Sequence, residues 1–103
     1  MEYEFTCDPN KNKANIRRHG IDLLEAGELL YGSYVDIEDD RKDYGEERCI
    51  AKGYLNDIPI VVVYVLRDYN NVHVISARKL KRLEEFELIK ELMLEVKEQK
   101  RRK

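Results

Sequence analysis

Proline occurs twice in the chain and glycine five times. That scarcity argues against disordered or low-complexity sequence, which draws heavily on both. Cysteine also occurs only twice, at Cys7 and Cys49, too far apart to match any metal-ligand spacing. The two read as reduced, core-type residues without a redox role. No apolar run approaches the roughly 18 residues needed to cross a bilayer. The opening "MEYEFTCDP" lacks the basic and apolar regions of a signal peptide. The expected location is the cytoplasm, with no membrane partner. There is no Gly-rich phosphate loop and no cluster of His, Cys, Asp or Glu at metal spacing, so neither a metal nor a nucleotide cofactor is expected.

What is present fits one domain spanning residues 1–103, 43% hydrophobic and able to bury one core. Charged residues make up 39% of the chain, and the net charge of -2 hides an uneven distribution. Residues 22–47 hold ten acids and two bases, whereas residues 78–103 hold ten bases and six acids. One part of the surface should repel a polyanion and another attract it.

The order of elements follows from caps and periodicity. "EYEF" alternates and reads as a short strand. Asp8 offers an N-cap oxygen and Pro9 suits the first helical position, so a helix is expected from Pro9 to about Arg18, ended by Gly20. Asp22, with Glu25 three residues on, opens a second helix running to about Leu30. "SYVDI" reads as a strand and "EDDRKDYGEE" as a polar loop. "RCIAKGYL", "IPIVVVYVL" and "VHVISA" are three further strands, joined too closely for parallel crossovers and so expected as an antiparallel meander. Alternation places Val72, Val74 and Ser76 on one face and His73, Ile75 and Ala77 on the other. From about Lys79 the pattern turns helical, with Leu80, Leu83, Phe86, Ile89, Leu92 or Met93, and Val96 in one stripe. Twenty helical residues span roughly 30 Å, enough to overhang a small domain. The stripe then either packs on its own sheet or receives a partner, a second copy or another protein. "KEQKRRK" reads as a solvated basic tail. The fold class is α+β.

Lys11 and Arg18 lie two helical turns apart on one face, and His19 follows at the helix end. The caps account for Asp8, Pro9 and Gly20, but they do not require these three cations together. Either they are solvated helix residues, or they form a phosphate-facing edge.

Three motifs in order resemble the BrnT family of toxins from bacterial type II toxin–antitoxin systems. The first comprises Phe5, Asp8, Pro9, Lys11, Asn15, Arg18, His19, Gly20, Glu25 and Ala26. The second is "GEER" at Gly45–Arg48. The third is "VISAR" at Val74–Arg78, with Arg82 and Glu84 beyond. The chain departs from the family pattern at Cys7, at His73 and in the acidic run Asp36–Glu47. The resemblance implies a RelE/ParE-like α+β domain and a ribonuclease toxin that arrests growth by inhibiting translation. It also implies neutralisation by a BrnA-like antitoxin, whose ribbon-helix-helix domain would bring the complex to operator DNA.

Metal-independent RNA cleavage removes a proton from a 2′-OH, adds a proton to the leaving 5′-oxygen and stabilises a charged phosphorane. Arginine suits the last task, because its planar fork stays charged. Arg48 and Arg78 are the candidates to clamp phosphate, unless each is absorbed in a salt bridge to Glu47, Glu84 or another acid. Arg82, read as one helical turn past Arg78, would join them. His19 could move the proton or merely cap its helix. Glu47, beside Arg48, would orient rather than act as base. Lys11 and Arg18 would bind the RNA backbone. Tyr64 could stack a base, although a core tyrosine is the commoner outcome. The acidic run and His73 also admit a different class of function: a non-catalytic module that partners a DNA-binding antitoxin or blocks another target such as gyrase.

Overall fold

The computed structural model describes residues 2–41, 43 and 45–101, with side chains described as far as Val96. Five strands form one mixed sheet. They are β1 (Glu4–Cys7), β2 (Tyr34–Glu38), β3 (Cys49–Leu55), β4 (Ile58–Arg67) and β5 (Asn71–Lys79), in the spatial order β1-β5-β4-β3-β2. All neighbours run antiparallel except β1, which lies parallel to β5. The helices α1 (Pro9–His19) and α2 (Leu23–Ala26), the latter continued by a 3-10 helix at Gly27–Tyr31, connect β1 to β2. A last helix, α3 (Arg82–Arg101), follows β5. The basic tail beyond residue 101 lies outside the described residues.

Local chemistry sets the first two helices. The Asp8 carboxylate accepts hydrogen bonds from the N–H groups of Asn10 and Lys11, and Gly20 closes α1 at φ 71°. A left-handed residue there costs glycine nothing. Asp22 caps α2 by accepting the Leu24 N–H, and the Asn12 Oδ1 of α1 accepts the Leu23 N–H. Asn56 and Asp57 both take positive φ, which makes the two-residue β3–β4 turn.

The sheet buries its two faces unequally. Ala51, Ile60, Val62, Tyr64, Val72, Val74 and Ala77 pack against Ile21, Leu23, Ala26, Leu29 and Leu30 from the first helical layer. On the other face a smaller cluster joins Val61 to Leu80 and Leu88, with Val35, Ile50, Tyr54 and Leu92 at its margin. α3 therefore covers only part of that second face.

One sequence expectation fails here for a physical reason, and one alternative left open is decided. A bulge interrupts the β4–β5 ladder: Val63 pairs with Ser76 but Tyr64 with Val74, leaving Ile75 as the extra residue. One extra residue reverses the alternation beyond it. Ala77 therefore joins Val72 and Val74 in the core, while Ser76 and Arg78 turn to the second face. The α3 stripe is also offset. Leu88 is the buried helix residue, at 1% exposure, whereas Leu83, Phe86, Ile89, Met93 and Val96 face outward. Among the described residues no helix is long and apolar enough to cross a membrane.

Candidate functional site

Where α3 leaves the second face uncovered, the sheet floors a cavity of about 290 Å³. Ile50 and Lys52 of β3, Val61 and Val63 of β4, and Ser76, Ala77 and Arg78 of β5 line it, together with His19, Arg41 and Glu84. A second cavity of about 210 Å³ is lined by Lys11, Ala14, Asn15, Arg18, His19, Ile75 and Ser76. His19 and Ser76 belong to both. The two hollows thus form one groove, with Lys11 and Arg18 at one end, Arg78, Lys52 and Arg41 at the other, and His19 at the junction. Glu84 is the one carboxylate among these lining residues.

Asn15 ties the two halves of this groove together. Its Nδ2 donates to the Ile21 carbonyl at 2.9 Å, and its Oδ1 accepts the Ala77 N–H at 3.3 Å. The side chain is buried, so each bond replaces one to water that burial has removed. The first bond fixes the α1–α2 turn, and with it His19. The second holds β5 just past the bulge that turns Ser76 and Arg78 into the cavity.

Arg78 meets Glu84 in a two-point pair, with both N–O distances 2.9 Å. Hydrogen bonds from Arg78 and from the Lys81 N–H hold the Glu84 carboxyl down at about 2, and the same carboxylate raises the pKa of Arg78. Glu84 is therefore ionised throughout the physiological range and orients Arg78; so acidic a group is a poor general base.

The groove collects some of the candidate residues and leaves others out. Lys11, Arg18, His19 and Arg78 line it. Arg48 lies just before β3 and lines neither cavity; its carbonyl accepts the Asp39 N–H at 2.7 Å. Its neighbour Cys49 pairs with Tyr64 and Arg78 with Val61, which separates the two arginines along β4 by roughly 13 Å. Glu47 is exposed in the loop beside it. Arg82 opens α3 whereas Arg78 is in β5, so the helical spacing that was to align them does not apply. Tyr64 is a core residue, 6% exposed and turned to the helical layer, where its hydroxyl donates to Asp36 at 2.6 Å. Burial and that carboxylate push its pKa up. It is not placed to stack a base.

Sequence reasoning missed Lys52, Arg41 and Ser76, and it named Glu84 only as a salt-bridge partner for an arginine. Lys52 carried a legible signal, being the one charged residue in the otherwise apolar alternation of β3. Arg41 carried none, because a cation in an acidic run reads as solvated.

Comparison with known proteins bears on the family and the fold. A family profile described as "Ribonuclease toxin, BrnT, of type II toxin-antitoxin system" matches residues 7–84. The crystal structure of the Brucella abortus ribonuclease toxin BrnT superposes with a TM-score of 0.58 at 25% identity, covering 78% of this chain and 99% of that one. A search of curated proteins gave no significant match. The profile spans the cap of α1, the acidic loop, strands β2 to β5 and Arg78 through Glu84, and the chain belongs to the BrnT family of ribonuclease toxins of type II toxin–antitoxin systems.

Proposed function

We propose that the chain cleaves RNA without a metal ion, by attack of a 2′-OH on the adjacent phosphate, and that this inhibits translation until an antitoxin neutralises it. The observation that carries the reading is the joined groove, with His19 between two cationic ends. RNA backbone lies along Lys11 and Arg18, and the scissile phosphate sits at the wall shared by His19 and Ser76. Arg78, oriented by Glu84, and Lys52 stabilise the charge that develops on the phosphorane. His19 takes up the 2′-OH proton and delivers one to the leaving 5′-oxygen as the P–O5′ bond breaks. Arg48, Glu47 and Arg82 are assigned no chemical step.

The neutralising partner on this reading is a BrnA-like ribbon-helix-helix antitoxin, which contacts operator DNA on behalf of the complex. The outward apolar stripe of α3 supports docking there, with a second copy of this chain as the competing occupant.

The test is induction of the chain and of its Arg78→Ala and His19→Ala variants in bacteria, followed by RNA mapping. Growth arrest and cleavage should accompany the unaltered chain alone. Cleavage that survives loss of both side chains would refute the assignment.

The occupied fork of Arg78 favours one other reading, a non-catalytic co-repressor in which Glu84 keeps the groove from RNA. RNA left intact at high protein concentration, with tight operator binding beside the antitoxin, would select it.

A further inference from the structure

The acidic run between β2 and β3 is out of character for a polyanion-binding protein, yet it supplies one wall of the cavity. Asp39 lies at its start. The Asp39 side chain has no solvent exposure, while that of Arg41 is 66% exposed. Between them run two charge-assisted bonds, Arg41 Nε to Oδ1 at 2.7 Å and Nη2 to Oδ2 at 2.8 Å, and the Arg41 N–H adds a third at 3.3 Å. The Asp39 N–H in turn bonds the Arg48 carbonyl at 2.7 Å, anchoring the carboxylate to the lead-in of β3. A buried carboxylate is tolerated only when paired. This one grips the guanidinium of Arg41, a residue that lines the cavity together with Arg78 and Lys52.

From this geometry we infer that Arg41 is a second phosphate-binding arginine of the groove and that Asp39 is its positioning residue. The inference rests on the RNA-cleaving reading and extends it. Arg78 enters from the β5 side and Arg41 from the loop before β3, so a phosphate above β4 is gripped from two flanks. Each guanidinium is held by its own carboxylate, Arg78 by Glu84 and Arg41 by Asp39. Fixing a long cationic side chain in advance lowers the entropy lost when phosphate binds. The acidic run then serves the cation it contains, and its Asp39 charge is neutralised locally.

The test measures binding of the full chain to a 2′-O-methylated oligoribonucleotide, which cannot be cleaved by 2′-OH attack, across a range of salt. Cleavage of the unmodified oligonucleotide is measured in parallel. Arg41→Ala strands a buried carboxylate, so the Asp39→Asn/Arg41→Ala double variant, which removes it, is measured alongside. Both variants should bind about tenfold more weakly, with KM raised more than kcat is lowered. Both should lose about 0.7 from the slope of log affinity against log salt, the signature of one missing phosphate contact on single-stranded nucleic acid. Asp39→Asn alone keeps the cation but releases it. Affinity should fall several-fold with the slope unchanged, a split that general destabilisation of the loop would not produce.

A folded double variant that binds with unaltered affinity and slope overturns the inference. Arg78→Ala and His19→Ala in the unaltered loop tell the two failures apart. If they abolish cleavage while Arg41 is silent, only the role of Arg41 falls. If they leave cleavage intact, the groove itself has been misassigned.

Discussion

Arg78 and Glu84 meet end to end, Nη1 to Oε1 and Nη2 to Oε2, each at 2.9 Å, and Glu84 also accepts the N–H of Lys81 at 2.8 Å. Glu84 thus does two things from one position. It is the third residue of α3 and reaches back to the preceding backbone, as capping glutamates do. It also fixes the arginine at the head of the groove.

The Glu84 carboxyl titrates at about 2 against an ordinary 4.5. A group whose folded-state pKa is depressed stabilises the fold fully above its unfolded value. That contribution is lost as the pH falls through the folded value. Both partners are partly exposed, so about 1 kcal/mol is a reasonable size after solvent screening. Urea unfolding should therefore show Glu84→Gln less stable than the unaltered chain by that amount at pH 7. The gap should shrink between about pH 4.5 and pH 2. A gap that stays constant over that interval would mean that the pair contributes no linked stability.

Asn15 offers a test of how the groove is assembled. Asn15→Ala removes a donor to Ile21 and an acceptor for Ala77, both buried, at a cost of about 2 kcal/mol. Asn15→Asp keeps the acceptor and loses the donor. Thermal unfolding should rank the variants unaltered, Asp, Ala, from most to least stable. RNA cleavage at a temperature where all three are folded should fall by at least about tenfold in Asn15→Ala, because small displacements of His19 against Arg78 are costly in rate. Full activity in a folded Asn15→Ala would show that the turn and the bulge hold their places without it.

Tyr64→Phe separates a core tyrosine from a base-stacking one. The hydroxyl is held by Asp36 at 2.6 Å on the helical side of the sheet. Losing it should cost about 1–2 kcal/mol of stability, since the partner is charged. Affinity for the uncleavable oligoribonucleotide should not change. Weakened RNA binding with undiminished stability would return Tyr64 to the groove.

What was legible in the sequence was what local chemistry decides. Asp8, Pro9 and Gly20 bound α1 because a cap and a left-handed residue act within a few positions. Lys11, Arg18 and His19 share a surface because helical spacing puts them there. The strand alternation was legible until Ile75, where one unpaired residue moved Ser76 and Arg78 to the other face; nothing in the residue types announces that bulge. Whether the α3 stripe meets its own sheet stayed open in the sequence, because Leu88 and Leu92 compete with a longer run of apolar residues that the sheet does not touch. Glu84 was legible as a salt-bridge partner for Arg48 or Arg78, whereas Arg41 owes its place to Asp39, a partner across a loop turn that only the folded chain defines.

That outward stripe leads to the last prediction. Phe86, Ile89, Met93 and Val96 follow one another at steps of three and four residues, and all are at least 42% exposed, whereas Leu88 on the opposite side is at 1%. The sheet therefore does not need them, and their spacing matches the apolar face that a helix presents to a groove or to another helix. Replacing Phe86 and Met93 together by glutamate should leave the thermal midpoint within a few degrees, because neither belongs to a buried cluster. The same change places two carboxylates in the centre of any apolar contact, where they would be desolvated without partners. Co-expression with the antitoxin partner and size-exclusion chromatography should then show the complex dissociated and the toxin eluting as a smaller species. A complex that survives intact would place the antitoxin elsewhere on the surface. A variant that unfolds would mean that the outer face of α3 carries stability its exposure does not reveal.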